Sequence, residues 1–550
     1  MKKIIFITLS LLCMQMVRAQ KKVTTQTFDT TRKTVVVTSA YKPSLKPAAK
    51  INFSAPSPFI DTVKPVLSYN VPAQNLFFTY QPGALKPLAL TVDGGLSWVN
   101  DNYIKAGVGN YSTFMGEAGA SFGNGVNSLV NITGKHFSQK GSLPFQQYGQ
   151  SAIGVSGVYS PDENLEWRGK LGYETSRQYY YGFQPDTIPF VKDSLKQMYN
   201  TLSALIGLRN KQPNSNGLSY DPSIAINLFS DNRKGKETNL LLNAPFKKVF
   251  DENLSLNLGI TADITSLRTL SDTKIANNLF YLSPTVSVKR SLFTLNAGVI
   301  PAWDNNKFYL LPNISAVIKV KDKPFVLQAG WTGFFQKNNY QSLSAFNPFI
   351  AQPSNLFNTR TTEFFGGLKG SAGSHLSYNA RVGIRTNSNA ALFLSDTLDG
   401  KSFNVINQPS MNALVVHGEV GYSVQEKFSL LAGATINQFS NLPLNTKAWG
   451  LLPLELTGAL RWQVMQDIQF KADAFIWNGS SYFHKGEFPE RSKGAFDLNL
   501  GAELTIVPKL NLWIQANNLL NNKYQRWDQY QVVGLNLMGG VVYSFSKQTK

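Results

Sequence analysis

Cysteine is nearly absent from this sequence: the single residue, Cys13, sits inside an apolar run at the N-terminus. Leu12 before it is too bulky for a lipoprotein cleavage signal, and nothing downstream can form a disulfide framework or supply a thiolate. Histidine is scarce as well. His136, His375, His417 and His484 lie far apart, and no His/Cys/Asp/Glu cluster has metal-ligand spacing, so the sequence calls for no metal and no other cofactor. Long hydrophobic runs are missing beyond the N-terminus, which excludes a helical membrane protein, whose spans need about 20 apolar residues each. Acidic residues are under-represented, 33 against 53 Lys and Arg, for a formal net charge of +20. The basic residues are scattered through turns and loops with no block of five, so anionic lipid headgroups explain them and nucleic acid does not. Nor is there a nucleophile motif: Gly154-Val155-Ser156-Gly157 lacks the G-x-S-x-G spacing and reads as a small-residue strand. An enzyme is not expected.

What is present begins with an export signal. Lys2-Lys3, an apolar run from Ile4 to Met14, and Val17-Arg18-Ala19 before Gln20 have the order of a signal peptide over residues 1–19. Its removal takes Lys2, Lys3 and Arg18 with it and leaves a net charge of +17. Residues 20–86 follow as an extended segment, periplasmic or lumenal, with seven prolines from Pro43 to Pro82. Proline fixes φ and removes backbone donors, so a compact sheet is not expected there. One β-prone run interrupts it, Thr34-Val35-Val36-Val37-Thr38-Ser39-Ala40.

From residue 87 to 550 the chain reads as a barrel, with Pro87–Val99 leading in and strands from Tyr103 onward. Leu254-Ser255-Leu256-Asn257-Leu258-Gly259-Ile260-Thr261-Ala262-Asp263-Ile264 alternates without a fault, and residues 494–506, 510–517 and 468–476 repeat the pattern. A period of two places successive side chains on opposite faces of a strand. Mean hydropathy stays at −0.15 because half of each strand would face a polar lumen. The connections alternate in length. Short links at 507–509, 465–467, 424–427, 321–324, 289–291 and 250–253 separate long ones at 518–530, 479–492, 440–450, 393–411, 337–360 and 182–197. Short turns on one rim and long loops on the other are the rule for outer-membrane barrels. The expectation is an all-β fold: a transmembrane antiparallel β-barrel of roughly 22 strands, give or take two to four. It would lie in the outer membrane of a Gram-negative envelope, in contact with lipid.

Two motifs carry a family resemblance. Asn518-Leu519-Leu520-Asn521-Asn522-Lys523-Tyr524 resembles the signature before the last strand of TonB-dependent receptors, and Gly540-Val541-Val542-Tyr543-Ser544-Phe545 resembles their terminal strand. Near the start, Thr34, Val35, Val36, Val37 and Thr38 resemble the TonB box. The resemblance implies that Tyr543 and Phe545 belong to the barrel-closing strand read by the barrel-assembly machinery. It also implies that the box binds TonB, the periplasmic energy-coupling protein. This chain departs from the family in having only residues 41–86 where a plug domain is expected, so a full plug is not expected. The lumen would then be filled by inward-folding loops, by residues 21–86, or by another protein.

Two aromatic clusters fall in loops: Tyr179-Tyr180-Tyr181-Gly182-Phe183 with Phe190, and Phe334, Phe335, Tyr340, Phe346, Phe349 and Phe357. One reading is interfacial girdle and loop packing. The other is an extracellular contact surface, with Tyr180, Tyr181, Phe346 and Phe349 as its candidates. Functionally the sequence suggests a transport protein resembling TonB-dependent receptors that admits a solute through a gated lumen. The alternative is a barrel subunit of a secretion, assembly or surface-display complex, with residues 20–86 tethering an envelope partner.

Overall fold

A computed structural model describes residues 102–545, apart from 125–126, 426, 445–446 and 484–488. The leader, the segment 20–86 with its box-like run, and Pro87–Val99 lie outside the described residues.

The strands join edge to edge in chain order, each antiparallel to the next, and the sheet closes on itself. Tyr103–Gly109 pairs on one side with Thr113–Gly123 and on the other with the last strand, Asn536–Ser544. Closure is what lipid demands, because an open edge would strand unpaired amides in hydrocarbon. With Leu218–Tyr220 and Ser223–Asp231 counted as one strand broken at Asp221-Pro222, the barrel has 22 strands. Most run 12 to 16 residues, longer than the ~10 a tilted strand needs to cross the bilayer. The surplus projects beyond the membrane and carries the long loops.

Faces follow the alternation read from the sequence. Leu254, Leu256 and Ile264 are exposed toward lipid, while Asn257 bonds Ser287 across the lumen wall at 2.9 Å. Aromatic residues stand on the outer surface at both rims. At the short-turn rim, Tyr422, Phe428, Trp462 and Phe470 form a row with centroids 5.9 to 6.5 Å apart. On the strand Phe293–Asp304, Phe293 and Trp303 mark the two levels, 40% and 41% exposed. Ten residues at ~3.4 Å each, tilted ~45°, separate them by about 24 Å along the membrane normal, the height of a lipid-facing apolar band. The barrel therefore spans a membrane.

The two rims differ as the sequence indicates. Connections at 250–253, 290–292, 373–375, 466–467 and 508–509 all fall on one rim, together with Asn102, where the described chain begins, and Phe545. Lys509 takes φ 78° after Pro508, as in a type II turn, which lets Val507 and Leu510 pair directly. Every long loop falls on the other rim.

Candidate functional site

The long loops fold over the mouth of the barrel, and most of them share one apolar core. Loop 337–358 reaches furthest. It begins between strands Phe325–Gln336 and Thr359–Ala372, yet Pro348 accepts hydrogen bonds from Gln178 (2.6 Å) and the Tyr199 hydroxyl (3.2 Å), seven or eight strands away around the wall. A segment that touches opposite walls must cross the lumen. Its helix, Tyr340–Phe346, opens with a capping box between Asn339 and Ser342. The Tyr340 and Gln341 amides also donate to the Glu237 carboxylate at 2.7 and 3.1 Å, a negative charge where the helix dipole favours one. The Tyr340 hydroxyl donates to Asp231 at 2.8 Å. Burial, then the neighbouring Tyr199 and Asp231, push the Tyr340 phenol far above its ordinary range, so it remains a donor. The Tyr180 phenol, raised by burial to about 12, donates to the Ile350 carbonyl at 2.9 Å.

The foot of the loop is held by amides. Asn358, fully buried, donates to Asn277 and Asp304, both at 2.7 Å, and accepts from Asn277 at 2.9 Å. Asn338 joins the same network through Phe357 O and the Thr359 hydroxyl. Beside it Lys337 pairs with Asp263 at 3.2 Å; burial lowers its pKa and the Asp263 charge opposes that shift.

Across the mouth, Phe349 stacks on Tyr530 of loop 518–535 with centroids 3.5 Å apart, and Tyr181 meets both rings edge-on. Phe403 of loop 389–410 exchanges backbone bonds with Phe349 and Ala351. Trp449 accepts from the Phe393 amide, and the Gly450 amide donates to Ser481, which ties in loops 441–453 and 478–494. Gly450 has φ 76°, and a Cβ there would lie 2.8 Å from the Trp527 ring, so only glycine fits. Gln146 of loop 141–146 donates to Gln531 O at 2.7 Å. Seven loops thus form one cap.

Beneath the cap a cavity of about 420 Å³ lies against the wall from Arg385 to Asp497. Phe439, Phe475 and Trp477 face it from lumenal positions of the strands, where a water-filled channel would favour polar side chains. Arg526 enters it from the cap, 9% exposed, with one guanidinium nitrogen donating to Gly450 O at 2.9 Å and another without a partner. Burial lowers the Arg526 pKa to about 10 while the Glu455 charge opposes the shift, so it stays cationic at neutral pH. Among the described residues no carboxylate pairs with it within 4.0 Å. Arg385, also at the cavity, is engaged by Glu363 at 3.3 Å.

Neither family models nor curated protein sequences give a match. Solved structures do. The FrpB iron transporter of Neisseria meningitidis superposes with a TM-score of 0.62 at 12% identity, covering 82% of this chain and 82% of its own. The siderophore receptor PirA of Acinetobacter baumannii gives 0.63 at 9% identity, covering 81% and 80%. The ferripyoverdine receptor of the outer membrane of Pseudomonas aeruginosa gives 0.61 at 12%, covering 81% and 72%. The fold is that of a TonB-dependent receptor barrel.

Of the residues singled out in the sequence, Tyr180 and Phe349 are buried in the cap core, Tyr181 is partly buried beside them, and Phe346 is 48% exposed at the cavity edge. Tyr543 and Phe545 project outward from the closing strand, edge-to-face at 4.7 Å. Thr34–Thr38 lie outside the described residues. His136, His375 and His417 are dispersed, and among the described residues no group of three or more metal-ligating side chains is assembled. Sequence reasoning did not find Arg526, Trp527, Tyr530 or the inward Phe475 and Trp477. The last two carried a signal: in Phe475-Ile476-Trp477 both faces of the strand turn apolar at once.

Proposed function

We propose that this chain is an outer-membrane β-barrel transport protein whose lumen is closed from outside by its own loops and opens to admit a solute. The observation that supports the reading is the cap, in which five loops share one aromatic core across the mouth of a receptor-type barrel and two more are bonded to it. Such a core can be displaced as a unit, and removing it would open a wide lumen. Copper, iron and siderophores are named for the solved relatives of this fold. No covalent step is required. Phe346, half-exposed at the edge of the cavity beneath the cap, is the aromatic of the helix that an admitted solute meets there.

Energy enters from the periplasm. The run Thr34–Thr38 is β-prone in sequence, and in this reading the energy-coupling protein TonB binds it by strand addition, with affinity from main-chain hydrogen bonds. The barrel-assembly machinery reads the strand that carries Tyr543 and Phe545. In the second reading residues 20–86 tether an envelope partner of a secretion, assembly or surface-display complex. Pulldown with a peptide of residues 21–60 separates the two. The transport reading expects capture of the energy-coupling protein and its loss in Val36→Pro, which deletes a donor in the middle of the added strand. Capture of an envelope subunit instead, indifferent to Val36→Pro, supports the second reading.

A further inference from the structure

We infer that the cavity beneath the cap binds a zwitterion, an α-amino acid or short peptide with an apolar side chain, its carboxylate on Arg526 and its ammonium on Glu455. This rests on the transport reading and names the class of solute that the site receives.

The cavity holds unpaired charges of both signs. Arg526 keeps a free guanidinium nitrogen although it is nine-tenths buried, its plane lying over Trp527 at 4.3 Å. A buried donor without a partner is a persistent cost unless something outside the protein supplies the acceptor. Guanidinium presents parallel N–H donors, the geometry a carboxylate matches. Glu455 faces the same cavity from the strand Leu454–Met465, with no hydrogen bond or ion pair among the described residues, and it is too far from Arg526 for direct contact. A simple anion would satisfy Arg526 and leave Glu455 unpaired beside a second negative charge. A simple cation would do the reverse. One molecule with both charges satisfies both.

The neighbours suit an ammonium group and an apolar side chain. Thr457 lies two residues along the same face as Glu455, and Asn437 donates to Leu452 O, which leaves its carbonyl available. Asp497 is the other carboxylate on this wall; one of its oxygens accepts the Tyr524 hydroxyl and the other has no partner. Cross-strand register sets Trp477 beside Glu455, and Phe475 between Thr457 and Asp497. Phe393, Phe439 and Met411 complete an apolar wall. About 420 Å³ falls in the range that holds small organic ligands.

The test uses the full chain purified in detergent and the dipeptide phenylalanyl-leucine, compared with its N-acetylated and C-amidated forms by isothermal titration calorimetry. Each block should weaken binding at least about tenfold, because each strands a buried charge. Arg526→Gln should abolish discrimination between acid and amide while retaining that against acetylation, and Glu455→Gln should do the opposite. Heat-modifiable gel mobility checks that each variant is folded, and the comparison of three peptides on the unaltered protein requires no variant. Equal binding of all three forms, or no binding of any at millimolar concentration, overturns the inference. Barrel conductance is measured without peptide, so failure here leaves the transport reading to its own test.

Discussion

Asn358 is the residue on which the cap depends most. Its amide satisfies Asn277 and Asp304 at once, at zero exposure. Asn358→Leu would remove these bonds, leaving Asn277 only Asn338 O and Asn305 and leaving Asp304 only Asn305, and should cost about 2–5 kcal/mol. The loss should appear as faster hydrogen exchange across loop 337–358 with the barrel strands unchanged. A second prediction follows from the buried phenols. Tyr180 titrates near 12 in the folded cap and near 10 once exposed. The folded form therefore holds its proton to higher pH. That contribution is complete below pH 10 and is lost as pH rises toward 12. Limited proteolysis should cut the loops faster at pH 11 than at pH 9, and less so in Tyr180→Phe. The aromatic clusters at 179–183 and 334–357 were legible in the sequence as clusters. Their partners were not, because Phe349 meets Tyr530 across 181 residues of chain and no local pattern encodes that crossing.

Strands are where the sequence was most readable. Residues 254–264 alternate in the sequence and in the wall alike, because one face meets lipid and the other water. Leu256→Arg should cost about 2–4 kcal/mol in a lipid-folding assay, while Asn257→Arg, on the lumen side, should be tolerated. Equal damage at both would reverse the faces. The closing strand follows the same logic: Asn536–Ser544 is paired on both sides, and the Phe545 amide extends the ladder to Asn102 O at 2.7 Å. Tyr543→Ala with Phe545→Ala should lower the heat-modifiable fraction in the membrane, and deletion of residues 547–550 should not. Strand ends were less legible than strand centres. Alternation fades where a strand leaves the bilayer and its outer face no longer meets lipid, which is where Phe475 and Trp477 turn inward to the cavity.

For the molecule as a whole, the alternation of loop lengths was enough to orient the barrel, since every long loop lies on the rim opposite Asn102 and Phe545. What closes the lumen was not readable. Inward-folded loops, the segment 21–86 and a partner protein were equally compatible with the sequence. Among the described residues, loop 337–358 crosses to the strands Leu165–Tyr179 and Lys196–Asn210. The measurement that bears most directly on this account is ion conductance across a planar bilayer. The unaltered chain is compared with a variant in which residues 340–350 are replaced by a short Gly-Ser link. Removing that span deletes Tyr340, Leu343, Phe349 and Ile350 from the cap core, with Phe346 beside it, and leaves the barrel wall intact. A low conductance is expected for the unaltered protein and a large, stable rise in the variant, with heat-modifiable mobility preserved. An unchanged conductance in a folded variant would contradict the cap as the closure of the lumen.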